Sequence, residues 1–218
     1  MFTGHYCAAF VAATHPKAPG LGTLFVAAQL VDVAFFSFVP LGIENMRVAP
    51  GMSAMNPMDL YDMPWTHSLV GAACWGIAFA LALRVATGSM ATGALAGLVV
   101  LSHWLIDLIV HIPDLTIVGS PPKLGFGLWN YPAIAVPLEL ALLLGSAWFY
   151  ARRTRATSKP WLLPALIVLL PALQAVNWFG PPPVAVDIGL WGLGLVAFGL
   201  AAAAAAWVGR NRRLQLPG

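Results

Sequence analysis

Between residues 21 and 208 the sequence holds six largely apolar runs, at 21–43, 67–86, 91–112, 132–150, 161–178 and 184–208. A run of ~20 such residues, rising 1.5 Å per residue, crosses the ~30 Å hydrocarbon layer of a bilayer as one helix. The charge count points the same way: 60% of the 218 residues are hydrophobic and 9% are charged, against about 25% charged in an average soluble domain. Eleven Lys and Arg with eight Asp and Glu cannot cover a globule of this size. A soluble enzyme, a disordered tail protein and a coiled coil are excluded. The expected fold is all-α, a polytopic integral membrane helical bundle of six full transmembrane helices, with residues 1–218 forming a single membrane domain. Residues 3–13 are apolar but too short to cross. They are expected as a half-membrane helix dipping into the outer half, with His5 near the outer surface.

The net charge of +3 does not imply nucleic acid, because the basic residues cluster at segment ends: Arg152, Arg153, Arg155 and Lys159, then Arg210, Arg212 and Arg213. The positive-inside rule explains both clusters. Putting them inside also puts Lys17 and Arg84 there, so nine of the eleven basic residues are inside, leaving Arg47 and Lys123 outside. The loop acids Glu44, Asp59, Asp62 and Asp114 fall outside, and Asp187 caps the last helix from that side. The expected location is the inner (cytoplasmic) membrane, multi-pass, with a cytoplasmic C-terminus and membrane lipid as a partner. Cys7 and Cys74 make no disulfide framework, and no cleavable signal is evident. Thr87-Gly88-Ser89 reads as a tight turn and Gly93-xxx-Gly97 as close helix packing. Pro137, Pro164 and Pro171 fall inside spans, where they are expected to kink helices. Trp65, Trp129, Trp161 and Trp178 read as an aromatic belt.

Three acids remain inside the membrane, Asp32, Asp107 and Glu139, and each calls for a partner or a function. The derived topology places all three in one half, with His5, His67 and His103 at matching depth and His111 at that end. His103, Asp107 and His111 are spaced i, i+4, i+8 and form one stripe on a helix. An imidazole and a carboxylate so placed can grip one metal ion, zinc being the ordinary choice; Asp32 and His67 add donors from adjacent helices. The alternative is a buried His–Asp pair that only holds helices together. Glu139 is a candidate general base or orienting group; the alternative is a carboxyl group kept protonated by burial. His15 lies in a Pro-rich inner loop and reads as solvated.

Met63-Pro64-Trp65-Thr66-His67-Ser68-Leu69 resembles the THSL motif of the YdjM-like membrane-bound metal-dependent hydrolases. Leu101-Ser102-His103-Trp104-Leu105-Ile106-Asp107 is similar to that family's LSHxxxD motif, Gln29-Leu30-Val31-Asp32 to its LPDxD segment, and Gly4-His5 to its N-terminal (T/G)H. The motif order matches, over roughly residues 1–112; residues 113–218 add C-terminal helices without a motif. Ala34 stands where LPDxD has its second Asp, Val31 where it has Pro, and Asp62 where the family has His ahead of THS. The resemblance implies a divalent-metal site of His5, Asp32, His67, His103 and Asp107, with Asp62 as a sixth ligand, in a His/Asp pattern related to zinc-dependent phospholipase C. The ion expected is zinc, with Mn or Fe as alternatives. The function expected is hydrolysis at the outer side, on a small-molecule or lipid substrate such as a lipid-derived ester or phosphodiester. Two other readings are a transporter or permease component with a His/Asp/Glu relay, and a non-catalytic membrane subunit. The nearly pure Ala, Leu, Val and Gly of the inner half-spans favours a one-sided site over a relay through the membrane.

Overall fold

Glycine, serine and proline punctuate the apolar runs, and the helix boundaries follow them. The computed structural model describes residues 2–215. A 3-10 turn, Thr3–His5, leads into α1 (Tyr6–Ala12), followed by α2 (Leu21–Phe38). A two-stranded antiparallel hairpin, β1 (Asn45–Val48) and β2 (Met58–Asp62), precedes α3 (Leu69–Thr87) and α4 (Met90–Val110). The remainder is α5 (Pro132–Arg153), β3 (Thr154–Ala156), α6 (Leu162–Phe179), α7 (Ile188–Arg210) and β4 (Arg212–Leu214). Among the described residues six helices are long and apolar enough to cross a membrane. The protein is an all-α, multi-pass membrane bundle.

Local chemistry sets the helix ends. Ser68 and Ser89 cap α3 and α4 by accepting from Gly71 N and Thr92 N, while Gly88 closes α3 in the left-handed conformation at φ +69°. Side-chain oxygens at these positions satisfy amides that have no partner within the helix. Asp187 caps α7 through Gly189 N and Leu190 N. The α3–α4 hairpin closes over small residues: a Cβ on Gly97 would lie 2.7 Å from the Gly76 carbonyl oxygen, and one on Gly93 would strike that of Ala80. Pro137 and Pro171 lie within α5 and α6. Pro164 instead falls in the first turn of α6, where its missing N–H costs no helical bond.

The half-membrane helix is present, but its depth differs from expectation. The Thr92 hydroxyl, near the start of α4, donates to the Lys17 carbonyl at 2.8 Å. The loop after α1 is thus pinned to the end of α4 remote from Asp107. From there α1 runs back along α4, and His5 stacks on His103 with ring centroids 3.8 Å apart. His103 lies eleven residues beyond Thr92, about 16 Å along the helix. The half-helix therefore occupies the half of the membrane opposite to the one expected, and His5 sits at mid-depth. Ending a helix inside the apolar layer leaves amides that water cannot reach. Other helices supply the acceptors: Glu139 Oε1 takes Phe2 N and Gly4 N, each at 3.0 Å, and Gln174 Oε1 takes Thr3 N at 3.2 Å. Gln29 Nε2 donates to the Phe2 carbonyl at 2.8 Å.

Candidate metal centre

Asp32 on α2, His103 and Asp107 on α4, His67 in the turn before α3 and His5 at the tip of the half-helix converge on one buried cluster. His5, His67, His103 and Asp107 are all buried, and the Asp32 side chain keeps 20% of its surface exposed. Asp32 Oδ1 lies 3.3 Å from His67 Nε2 and 3.5 Å from His103 Nε2. Asp107 Oδ2 lies 3.0 Å from His103 Nε2 and 3.8 Å from His67 Nε2. Four ligands at 2.0–2.2 Å around a tetrahedral ion are separated by about 3.3–3.6 Å, and these distances fall around that value. The other oxygen of Asp107 faces His5 Nε2 at 3.1 Å and His111 Nε2 at 3.5 Å. Two groups, His5–His103–Asp107 and Asp32–His67–His103, each bring their donor atoms within 4.8 Å of one another.

The opposite ring nitrogens decide the tautomers. His103 Nδ1 is 2.8 Å from the Ala28 carbonyl, which can only accept, so Nδ1 carries the hydrogen. Glu44 Oε2 accepts the Thr66 hydroxyl at 2.6 Å, leaving the Thr66 oxygen to accept from His67 Nδ1 at 2.8 Å. His111 Nδ1 donates to Asp114 Oδ1 at 2.8 Å. In neutral His67 and His103 the lone pair is therefore on Nε2, aimed at the carboxylates. Lone pairs facing carboxylates repel unless a proton or a cation lies between them. No hydrogen bond among the described residues reaches His103 Nε2 or either ring nitrogen of His5.

His111 lies just past α4. Burial opposes its charge, but the Asp107 and Asp114 carboxylates outweigh burial and push its pKa up to about 9. Trp129 covers its ring at a centroid distance of 4.1 Å, so this tryptophan packs on the cluster rather than serving only as a belt residue. The covering loop folds back through Gly127 N to the His111 carbonyl (2.7 Å). It turns at Gly125, φ +154°, where a Cβ would strike the His111 and Ile112 carbonyls.

Of the expected ligands the structure unites His5, Asp32, His67, His103 and Asp107. Asp62 is not among them: it lies in β2, where its carboxylate accepts from Asn45 Nδ2 at 2.8 Å. Glu139 meets the half-helix amides, next to His5 in sequence, as an orienting group does. His15 is exposed and Cys7 and Cys74 are free. The sequence reading gave no role to Thr66, Glu44 or Asp114. Glu44, taken there as an outer loop acid, is fully buried, and its Oε1 also accepts from Trp65 N and Thr66 N. The hydroxyl beside His67 and the i, i+3 spacing of His111 and Asp114 were the available signals. The chain matches no protein-family model, no curated protein and no solved structure.

Proposed function

We propose that this protein is a membrane-embedded, divalent-metal-dependent hydrolase. The observation that carries the reading is the convergence of Asp32 Oδ1 and Asp107 Oδ2 on His67 Nε2 and His103 Nε2, with oxygen–nitrogen separations of 3.0–3.8 Å and both histidines fixed through Nδ1. These four atoms would hold the ion, and the mixed imidazole and carboxylate set suits zinc best. A divalent cation supplies Lewis acidity, acidifying water and polarising an ester or phosphoryl oxygen. The chain's own residues do the rest. Glu44, through Thr66, and the Ala28 carbonyl hold the imidazoles in the ligating tautomer, and Glu139 sets the position of His5 through the Phe2 and Gly4 amides. Asp32 is the exposed edge of the cluster, and an opening within a transmembrane helix favours a lipid-derived ester or phosphodiester entering sideways.

The metal content of protein purified in detergent without chelator tests the centre, and hydrolysis of glycerolipid esters and phosphodiesters tests the reaction. The expected result is about one or two divalent ions per chain and an activity that is lost on chelation and returns with Zn²⁺. Absence of metal overturns the centre; metal without hydrolysis overturns the enzyme. The orientation proposed is a cytoplasmic C-terminus in the inner membrane, from the division of basic residues. Cysteines introduced at Ser53 and in the Arg152–Lys159 loop, with Cys7 and Cys74 replaced, should then label from opposite sides.

A further inference from the structure

The β3–β4 ribbon carries an unbalanced charge that the metal centre does not explain. The strands pair antiparallel in the register Thr154 with Leu214, Arg155 with Arg213 and Ala156 with Arg212. The ladder continues through Gln215 N to the Arg153 carbonyl (2.8 Å) and Thr157 N to the Asn211 carbonyl (2.9 Å). Alternate residues face opposite sides of such a ribbon. One side is fully used: Thr154 is buried, its hydroxyl accepts from Arg212 Nε at 2.8 Å, and Arg212 Nη2 donates to the Thr154 carbonyl at 2.9 Å. The other side sets Arg155 and Arg213 directly opposite each other, both exposed.

Like charges directly opposite in a ladder are destabilising. Among the described residues no carboxylate forms an ion pair with either arginine. The Asp and Glu side chains of the described residues lie toward the other ends of their helices or in the loops there, so none of them neutralises this pair, and an anion at the membrane surface can. Its source follows from position. The ribbon starts where α5 and α7 end, at Arg153 and Arg210, which is the height of the lipid headgroups. Beside it the Arg152 guanidinium lies 5.8 Å from the Trp148 ring and Lys159 Nζ lies 5.1 Å from the Trp207 ring, an aromatic pattern typical of a membrane interface. A phosphate oxygen pair matches the donor fork of a guanidinium.

We propose that Arg155 and Arg213 together bind the phosphate of an anionic glycerophospholipid headgroup in the leaflet this end of the bundle faces. The inference is independent of the metal centre. The test places wild type, Arg155→Gln, Arg213→Gln and Arg84→Gln in nanodiscs of phosphatidylcholine, with and without phosphatidylglycerol. Lipid retained after release into detergent is counted by native mass spectrometry, and Tm is measured in each bilayer. Wild type and Arg84→Gln should retain a phosphatidylglycerol that both ribbon variants lose. In the mixed bilayer each ribbon variant should melt about 2–4 °C lower than wild type. In phosphatidylcholine alone neither should melt lower, because removing one arginine there removes repulsion. If Arg84→Gln loses lipid as the ribbon variants do, general attraction to the leaflet is enough and the site is overturned. If inorganic phosphate added to phosphatidylcholine discs raises Tm as much as phosphatidylglycerol does, a free phosphate is the ligand and the lipid assignment is overturned.

Discussion

Glu44 reaches His67 through a single hydroxyl: Thr66 Oγ1 lies 2.6 Å from Glu44 Oε2 and 2.8 Å from His67 Nδ1. The carboxylate takes the hydroxyl hydrogen, the hydroxyl oxygen takes the imidazole hydrogen, and the His67 lone pair is left on Nε2 beside Asp32. Breaking this chain should weaken metal binding without removing a ligand. Thr66→Val is expected to lower metal affinity about 10–100-fold, with Thr66→Ser restoring most of it because serine keeps the hydroxyl. Competition with a chromophoric chelator measures both. Equal affinity in Thr66→Val and wild type would show that the tautomer is fixed by something else.

Asp107 and Asp62 are two acids that the sequence offers as ligands and the structure separates. Asp107→Asn removes a carboxylate that faces His103 on one oxygen and His5 on the other, and it should abolish most bound metal. Asp62→Asn acts on a residue held by Asn45 in the hairpin. It should leave metal content unchanged and alter stability by no more than about 0.5 kcal/mol, as for an ordinary surface substitution. Elemental analysis of the two variants prepared side by side decides it.

What was legible in the sequence is what depends on helix periodicity. His103 and Asp107 share a helix face by spacing alone, and Asp32 and His67 join them once the order of crossings fixes their depth. Thr66 and Glu44 were not legible as a pair, because the chain between them closes through the β1–β2 hairpin rather than through a repeat. The same holds for Asp62: its place before Thr66-His67-Ser68 suggests a ligand, yet strand pairing gives it to Asn45. The depth of α1 was not legible because it is set by contacts far apart in sequence, such as Thr92 to Lys17, 75 residues away, and Glu139 to Phe2 and Gly4. Glu139 and Gln174 could be read as polar residues in spans but not as caps, since what they cap is the end of another segment.

Protons and metal compete for the same nitrogens and oxygens, which fixes the sign of the pH dependence. A ligand that binds only the folded protein stabilises it by RT ln(1 + [M]/Kd), ~4 kcal/mol at a thousandfold excess over Kd. That contribution should be full at pH 8 and should shrink as pH falls through the ordinary histidine range near ~6.5. The expected outcome is a Tm loss on chelation that is large at pH 8 and small at pH 5.5. A loss that is greater at pH 5.5 would contradict histidine ligation.

The last prediction separates two roles for Glu139. If its carboxylate orients the half-helix, what matters is an oxygen that accepts from Phe2 N and Gly4 N. If it moves a proton in the reaction, what matters is that it ionises. Glu139→Gln keeps an acceptor oxygen and cannot ionise, whereas Glu139→Leu keeps neither. Orientation predicts that Glu139→Gln holds its metal and keeps near wild-type turnover. Under the same role Glu139→Leu loses stability by about 1–3 kcal/mol for each amide left buried without an acceptor. It should also displace His5, which is carried by the Thr3–His5 turn that those amides fix. Proton transfer predicts the same full metal occupancy and unchanged Tm for the first variant, but a large loss of turnover. Metal content, Tm and hydrolysis measured on both variants distinguish the roles. Glu139→Gln with metal bound and activity lost would return Glu139 to the reaction itself.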